Sequence, residues 1–291
     1  SGQLLKTAAQ DLITNLQEDQ KFTLLTNNAA FRNTTVKDIR NDLLQLPFTA
    51  TQLSEEAVTL KAQKEFTNDP STSKRLILIS DYQEKGKGQV GTQWVSEPYK
   101  NLLCSVFVAF DGFLIENQIQ INYAVSLAIY KVLKSYGLPN LKVKWPNDIL
   151  SSNKKICGLL IENVMQKNEI KSSVIGIGLN VNQTDFPKKI QQVTSMKSLL
   201  QNDVNLDSLL IEIVEELKKQ IAKITDKTTH ELQENYLNVL YKKNIPTMFK
   251  NHAQNVLFMG IIIGVSSAGK IQIQLEDDSV QEFGIKEVSF A

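Results

Sequence analysis

From Ile119 to Leu133 apolar side chains run nearly all the way round a helix, among them Tyr123, Val125, Leu127, Ile129 and Val132. Such a helix has no wet face and must be enclosed by other elements. Gly137 and Pro139 end it, the first suited to a left-handed cap and the second barring further helix. Most of what surrounds it reads as strand. Leu76–Ile79 and Leu102–Phe110 are short apolar runs; Lys142–Leu150, Lys155–Val164 and Ser173–Val181 follow, the first two flanking a Ser-Ser-Asn-Lys turn. Leu206, Leu210, Ile213, Leu217, Ile221 and Ile224 then mark an amphipathic helix, with acids toward its start and lysines toward its end. The expectation is an α+β domain, a mixed sheet flanked by helices.

The two ends of the chain differ from this middle. Leu4, Leu5, Ala8, Ala9, Leu12, Ile13 and Leu16 have helical spacing, but residues 1–47 otherwise form an extension without a readable pattern. Beyond Pro246, Val256–Val265, Lys270–Leu275 and Val280–Phe283 read as short strands parted by Ser-Ala-Gly and Asp-Asp-Ser turns, which suggests a small β-barrel. Three segments result: 1–47, 48–243 and 244–291.

Composition narrows the function. The chain has 291 residues, and 32 basic against 31 acidic side chains leave a net charge of +1, with no general attraction to nucleic acid or anionic lipid. Residues 1–47 balance five basic against five acidic side chains, unlike a DNA-binding head. No run of eighteen apolar residues is present, so no membrane span is expected. Without a secretory signal at its start, the sequence reads as cytoplasmic. Cys104 and Cys157 lie in apolar runs and read as buried, reduced thiols; His230 and His252 have no partners at ligand spacing. A zinc site and a Ser-His-Asp triad are therefore not expected, and no residues are assigned as metal ligands.

Four elements remain that could carry chemistry. In Tyr82–Trp94, Gly86, Gly88 and Gly91 alternate with lysines, which would let backbone amides and ammonium groups approach a phosphate. No Lys-Ser/Thr pair closes it and a strand follows, so it is not a P-loop; a solvated surface loop would account for it too. In Lys144-Trp145-Pro146-Asn147-Asp148-Ile149 the proline turns the chain where Asn147 and Asp148 are presented, and a carboxamide can read a base edge. Lys154-Lys155-Ile156-Cys157-Gly158 sets a lysine at the head of an apolar strand, either a fixed cation for an anion or a turn lysine facing water. In Gly176-Ile177-Gly178-Leu179-Asn180 alternating glycines mark close approach by a ligand or by another part of the chain.

Together, in this order and near this spacing, the four elements resemble the biotin–protein ligase family over about Thr49 to Phe290. The resemblance implies a catalytic domain related to class II aminoacyl-tRNA synthetases over 48–243 and an SH3-like barrel over 244–291. It implies an enzyme that uses ATP, with Mg²⁺, to activate biotin as biotinoyl-AMP. Biotin then passes to a lysine of the biotin carboxyl carrier domain of a carboxylase. Carried over by position, Thr51 and Gln52 fall where the biotin ring is bound. Gln83, Gly86, Lys87, Gly88 and Gln89 match the biotin and adenylate loop, although relatives carry Arg-Gly-Arg where this chain has Lys87-Gly88-Gln89. Trp94 encloses the ligand, Asn147 reads adenine and Asn180 lies near the nucleotide. Asp148 organises the amine or metal side, and Lys155 touches the biotin carboxylate and the α-phosphate. On the same resemblance Lys87, Gln89 and Trp94 serve ATP as well as biotin, and Lys155, Lys87 and Asp148 are the catalytic set. A monomer or a homodimer fits, with neither nucleic acid nor membrane as partner. A lipoate or octanoate ligase resembles the same fold, and a biotin-responsive DNA-binding repressor is the reading from another class.

Overall fold

In the computed structural model, residues 23–26, 75–83, 86–89, 92–225 and 229–291 are described. The amphipathic stretch 4–16 and the proposed biotin residues Thr51 and Gln52 lie outside them. The described residues fall into two compact units, those up to 113 with 156–212 and those of 114–155 with 213–291.

The first unit is built on strands β1 (Thr23–Thr26), β2 (Arg75–Ser80), β5 (Leu102–Leu114), β8 (Lys154–Gln166) and β9 (Glu169–Leu179), lying in the order β1-β2-β5-β9-β8. A separate two-stranded ribbon pairs β3 (Gly86–Lys87) with β4 (Gln93–Trp94). β1 runs parallel to β2, whereas β2 is antiparallel to β5 and β8 to β9, so the sheet is mixed as expected. β5 is buried along Leu102, Leu103, Cys104, Val106, Phe107 and Val108, as a strand covered on both faces must be. β8 and β9 form a hairpin in which Gln166 faces Glu169 across Lys167-Asn168, and Lys167 takes a positive φ of 55°. β9 therefore begins at Glu169 and not at Ser173. Among its first four residues Ile170 is the one apolar side chain, too little for an apolar signal, and their pairing follows from the tight turn.

The second unit holds helix α1 (Ile119–Ser135), strands β6 (Leu141–Lys144) and β7 (Asp148–Ser151), and, after the short α2 (Met196–Leu200) of the first unit and the long α3 (Leu206–Thr225), helix α4 (Thr229–Val239). Tyr123 to Ile129 of α1 are buried without a break, so every side of the helix is covered there, while Lys131, Lys134 and Ser135 near its end are exposed. It packs on α4, β6 and β7. Gly137 takes φ +75° just past its end, the left-handed position anticipated there. The single strand expected over Lys142–Leu150 is in fact two. Pro146 has no N–H to give a ladder and its peptide bond to Trp145 is cis, so the chain turns and β6 pairs back on β7, Lys144 opposite Asp148. Ser152 and Asn153, both at positive φ, then make the turn into β8.

The C-terminal residues form a five-stranded antiparallel sheet, β13-β12-β11-β10-β14, from β10 (Pro246–Asn251), β11 (Val256–Val265), β12 (Ile271–Gln274), β13 (Val280–Phe283) and β14 (Val288–Phe290). Three of these strands were legible as apolar runs. β10 and β14 were not, because β10 buries only Phe249 and β14 has three half-buried residues. Among the described residues no helix is long and apolar enough to cross a membrane.

Within the second unit, Tyr123 of α1 and Tyr236 of α4 face each other with ring centroids 4.5 Å apart. Among the described residues neither hydroxyl has a hydrogen-bond partner, and burial pushes the Tyr123 phenol up to about 12 and the Tyr236 phenol further. A buried donor left unpaired costs about 1–3 kcal/mol. Tyr236→Phe should therefore raise stability by roughly 1 kcal/mol, read as a higher urea midpoint at unchanged slope; a lower midpoint would show that the hydroxyl is satisfied.

Candidate active site

In the first unit the glycine-rich loop folds as a ribbon on itself. Gly88 N–H donates to the Thr92 carbonyl at 2.7 Å, and Thr92 Oγ1 donates to the Gln89 carbonyl at 2.8 Å. Gly86 is buried, and a Cβ there would lie 2.8 Å from the Trp94 carbonyl and 2.9 Å from Gln83 Oε1. A Cβ on Gly88 would collide with the Thr92 side chain. These two glycines are thus required by the ribbon's own packing, a reason the sequence alone did not separate from anion approach. Lys87 is exposed and Gln89 half-buried. Gly91 falls outside the described residues.

The ribbon delivers Trp94 onto β9. A Cβ on Gly178 would lie 2.6 Å from Cε2 of the indole, so this glycine leaves room for the ring. Gly176 differs, since a Cβ there would meet Leu160 at an ordinary 3.5 Å. Of the alternating pair, only Gly178 is obligatory by packing, and the close neighbour is a side chain of the same unit.

Beyond β9 a network of carboxamides fixes the chain. Asn180 is 2% exposed, with its N–H donating to the Ile156 carbonyl at 2.9 Å and its Nδ2 to the Thr194 carbonyl at 3.1 Å. Asn101 accepts from the Val181 N–H at 3.1 Å and donates to Gln183, which also accepts from the Glu97 N–H at 3.1 Å. Asn182 exchanges two bonds with the Val204 backbone, at 2.8 and 2.9 Å. Asn101, Asn182 and Gln183 were not singled out from sequence. Their signal, buried or half-buried amides beside a glycine-rich strand, is visible only once the backbone is placed.

In the second unit the cation expected on β8 stands at the proline turn. Lys155 Nζ lies 2.6 Å from Asp148 Oδ1, with side-chain exposures of 37% and 22%. Lys154 is exposed beside it. Asn147 is half-buried in the same turn, whose carbonyl at Pro146 accepts from Asn122 Nδ2 at 2.8 Å. Asn147, Asp148 and Lys155 are therefore brought together, as Gln83, Gly86 and Trp94 are in the first unit.

Cys104 and Cys157 are buried thiols, and burial pushes the Cys104 thiol up to about 12. His252 pairs with Ser289 Oγ at 2.9 Å. Among the described residues no three His, Cys, Asp or Glu side chains cluster as a metal site.

The fold is that of a known class of enzyme. A biotin protein ligase from Aquifex aeolicus, solved with biotin and ATP, superposes with a TM-score of 0.61 at 24% identity, over 74% of this chain and 88% of that one. The bifunctional ligase/repressor BirA of Bacillus subtilis is 25% identical over 234 residues, 79% of this chain and 69% of that protein. BirA of Escherichia coli is 30% identical over 103 residues, 35% of this chain and 32% of that protein. Residues 53–180 match the model of the biotin/lipoate A/B protein ligase family.

The packing of β9 predicts an asymmetry between its two glycines. Gly178→Ala should push Trp94 aside and cost about 1–3 kcal/mol, with a change in tryptophan emission. Gly176→Ala should stay within about 0.5 kcal/mol of the parent. Equal effects in thermal unfolding would contradict the contact.

Proposed function

We propose that the protein is a biotin–protein ligase that condenses biotin with ATP to biotinoyl-AMP and transfers the biotinoyl group to a lysine of a biotin carboxyl carrier domain. The observation that carries the reading is the Lys155–Asp148 pair at the Pro-Asn-Asp turn. It puts an ammonium group, fixed by a strand, where Asp148 already supplies one carboxylate oxygen. A substrate carboxylate or phosphate oxygen is the same kind of partner. The reading agrees with the family match and with the relatives' ligase names.

On this reading Thr51, Gln52, Gln83, Gly86, Lys87, Gly88, Gln89, Trp94 and Lys155 serve biotin. Lys87, Gln89, Trp94, Asn147 and Asn180 serve ATP. The biotin carboxylate attacks the α-phosphorus and pyrophosphate leaves; the acceptor amine then attacks the mixed anhydride and releases AMP. Negative charge gathers on the phosphoryl oxygens in the first step, so a preorganised ammonium lowers that barrier more than it helps ground-state binding. Gln89 supplies only a neutral amide where relatives carry arginine, which leaves Lys87 and Lys155 as the cations. Mg²⁺ would be held chiefly by the ATP phosphates, with Asp148 as the carboxylate suited to face it, and would supply charge neutralisation. We read 48–243 as a catalytic domain of the class II synthetase type and the C-terminal sheet as an SH3-like barrel. The protein is read as cytoplasmic, a monomer or homodimer, with neither nucleic acid nor membrane as partner.

Biotin-dependent exchange of pyrophosphate into ATP tests the first step, and lipoate added as competitor separates the related ligase. Lys155→Ala should slow exchange by a factor on the order of 10²–10³, while Lys154→Ala, altering an exposed neighbour, should leave it near normal. Damage from Lys154→Ala, or none from Lys155→Ala, would refute the assignment.

A further inference from the structure

The turn that carries Asn147 and Asp148 is held from two directions, and one hold comes from the C-terminal sheet of the same unit. From α1, Asn122 Nδ2 donates to the Pro146 carbonyl at 2.8 Å, and Asn122 Oδ1 in turn lies 3.5 Å from Ser126 Oγ. From the other side, the indole Nε1–H of Trp145 donates to the Gly269 carbonyl at 3.0 Å, with Trp145 only 8% exposed. Gly269 belongs to the turn joining β11 to β12, which is closed by its own N–H donating to the Ser266 carbonyl at 2.9 Å and by the Ser266 N–H donating to the Lys270 carbonyl at 2.8 Å. It adopts φ +81°, which strains any side chain, and a Cβ there would meet Ile119 Cδ1 at 3.3 Å. The β11–β12 turn therefore lies against the first residue of α1 while its carbonyl grips the tryptophan.

These contacts bracket the turn. One fixes the carbonyl immediately before Asn147, and the other fixes the side chain two residues before it. A carboxamide that reads a base edge must be held to about 0.5 Å, and side chains that touch no ligand can supply that hold. We propose that Asn122 and Trp145, the latter through Gly269 of the C-terminal sheet, are positioning residues that set the angle at which Asn147 and Asp148 meet a nucleotide. The proposal deepens the ligase reading and rests on it for the nature of the ligand, ATP. It also gives the C-terminal sheet a task in nucleotide binding.

Two variants separate the holds. Trp145→Phe keeps the apolar bulk and deletes the donor, and Asn122→Ala deletes the other donor at a half-buried position. In the full-length protein, titration calorimetry with ATP should show the Kd raised about five- to tenfold in each variant, the size of one lost hydrogen bond. The Kd for biotin should stay within twofold and the thermal midpoint should be nearly unchanged. Hydrogen exchange of the Asn147–Ile149 amides should quicken in both variants. Normal ATP binding in both would overturn the proposal, as would a parallel loss of ATP binding, biotin binding and thermal midpoint, which marks a general structural role. If the parent protein bound neither ATP nor biotin, the ligase reading would fail by itself. Positioning of the turn would then be decided by exchange alone, unchanged rates in both variants overturning it. Should one variant fail to fold, the other gives the same reading.

Discussion

Over Tyr123–Ile129 helix α1 has no face to give to water, and the chemistry-bearing part of the second unit follows from how that stretch is covered. β6 and β7 cover one side and α4 another. Pro146 then forces the covering strand to double back, so the only polar residues the turn presents are those that follow the proline. Asn122 sits near the start of the helix, where its carboxamide can reach the turn without breaking the apolar surface. Burial and presentation are thus one arrangement. A sheet that covers the helix must end somewhere, and here it ends in Asn147 and Asp148.

Much of this was legible in the sequence for a simple reason: periodicity reports burial, and most of the fold is burial. α1, α3, β5 and three strands of the C-terminal sheet were readable from apolar spacing alone. Elements that depend on pairing more than on burial were not. β10 and β14 bury little of their own, and the early residues of β9 are mostly polar; their partners across the ladder decide them. Pro146 was recognised as a break, yet the segment around it still read as one strand, because apolar pattern on both sides outweighs one residue in any window.

The site divides along the same line. Glycines, the proline turn and the lysine at the head of β8 carry their chemistry in their identity, and the resemblance to a ligase family rests on them. What the sequence did not carry was the hydrogen-bonding between distant amides. Asn101 and Gln183 are separated by 82 residues, and Trp145 and Gly269 by 124. No spacing rule links such positions. Nor did the pattern show why each glycine is needed: Gly86 and Gly88 serve the ribbon, Gly178 makes room for an indole, and Gly176 tolerates a Cβ.

The contact between Gly178 and Trp94 has a consequence for how such a chain can diverge. The two positions are 84 residues apart, yet 178 cannot gain a side chain while the indole at 94 stays in place. A descendant that acquired alanine at 178 would gain a methyl group where the indole now rests, and its ribbon could settle again only around a smaller ring at 94. A larger residue at 178 should therefore occur only in lineages that have already given up the large ring at 94.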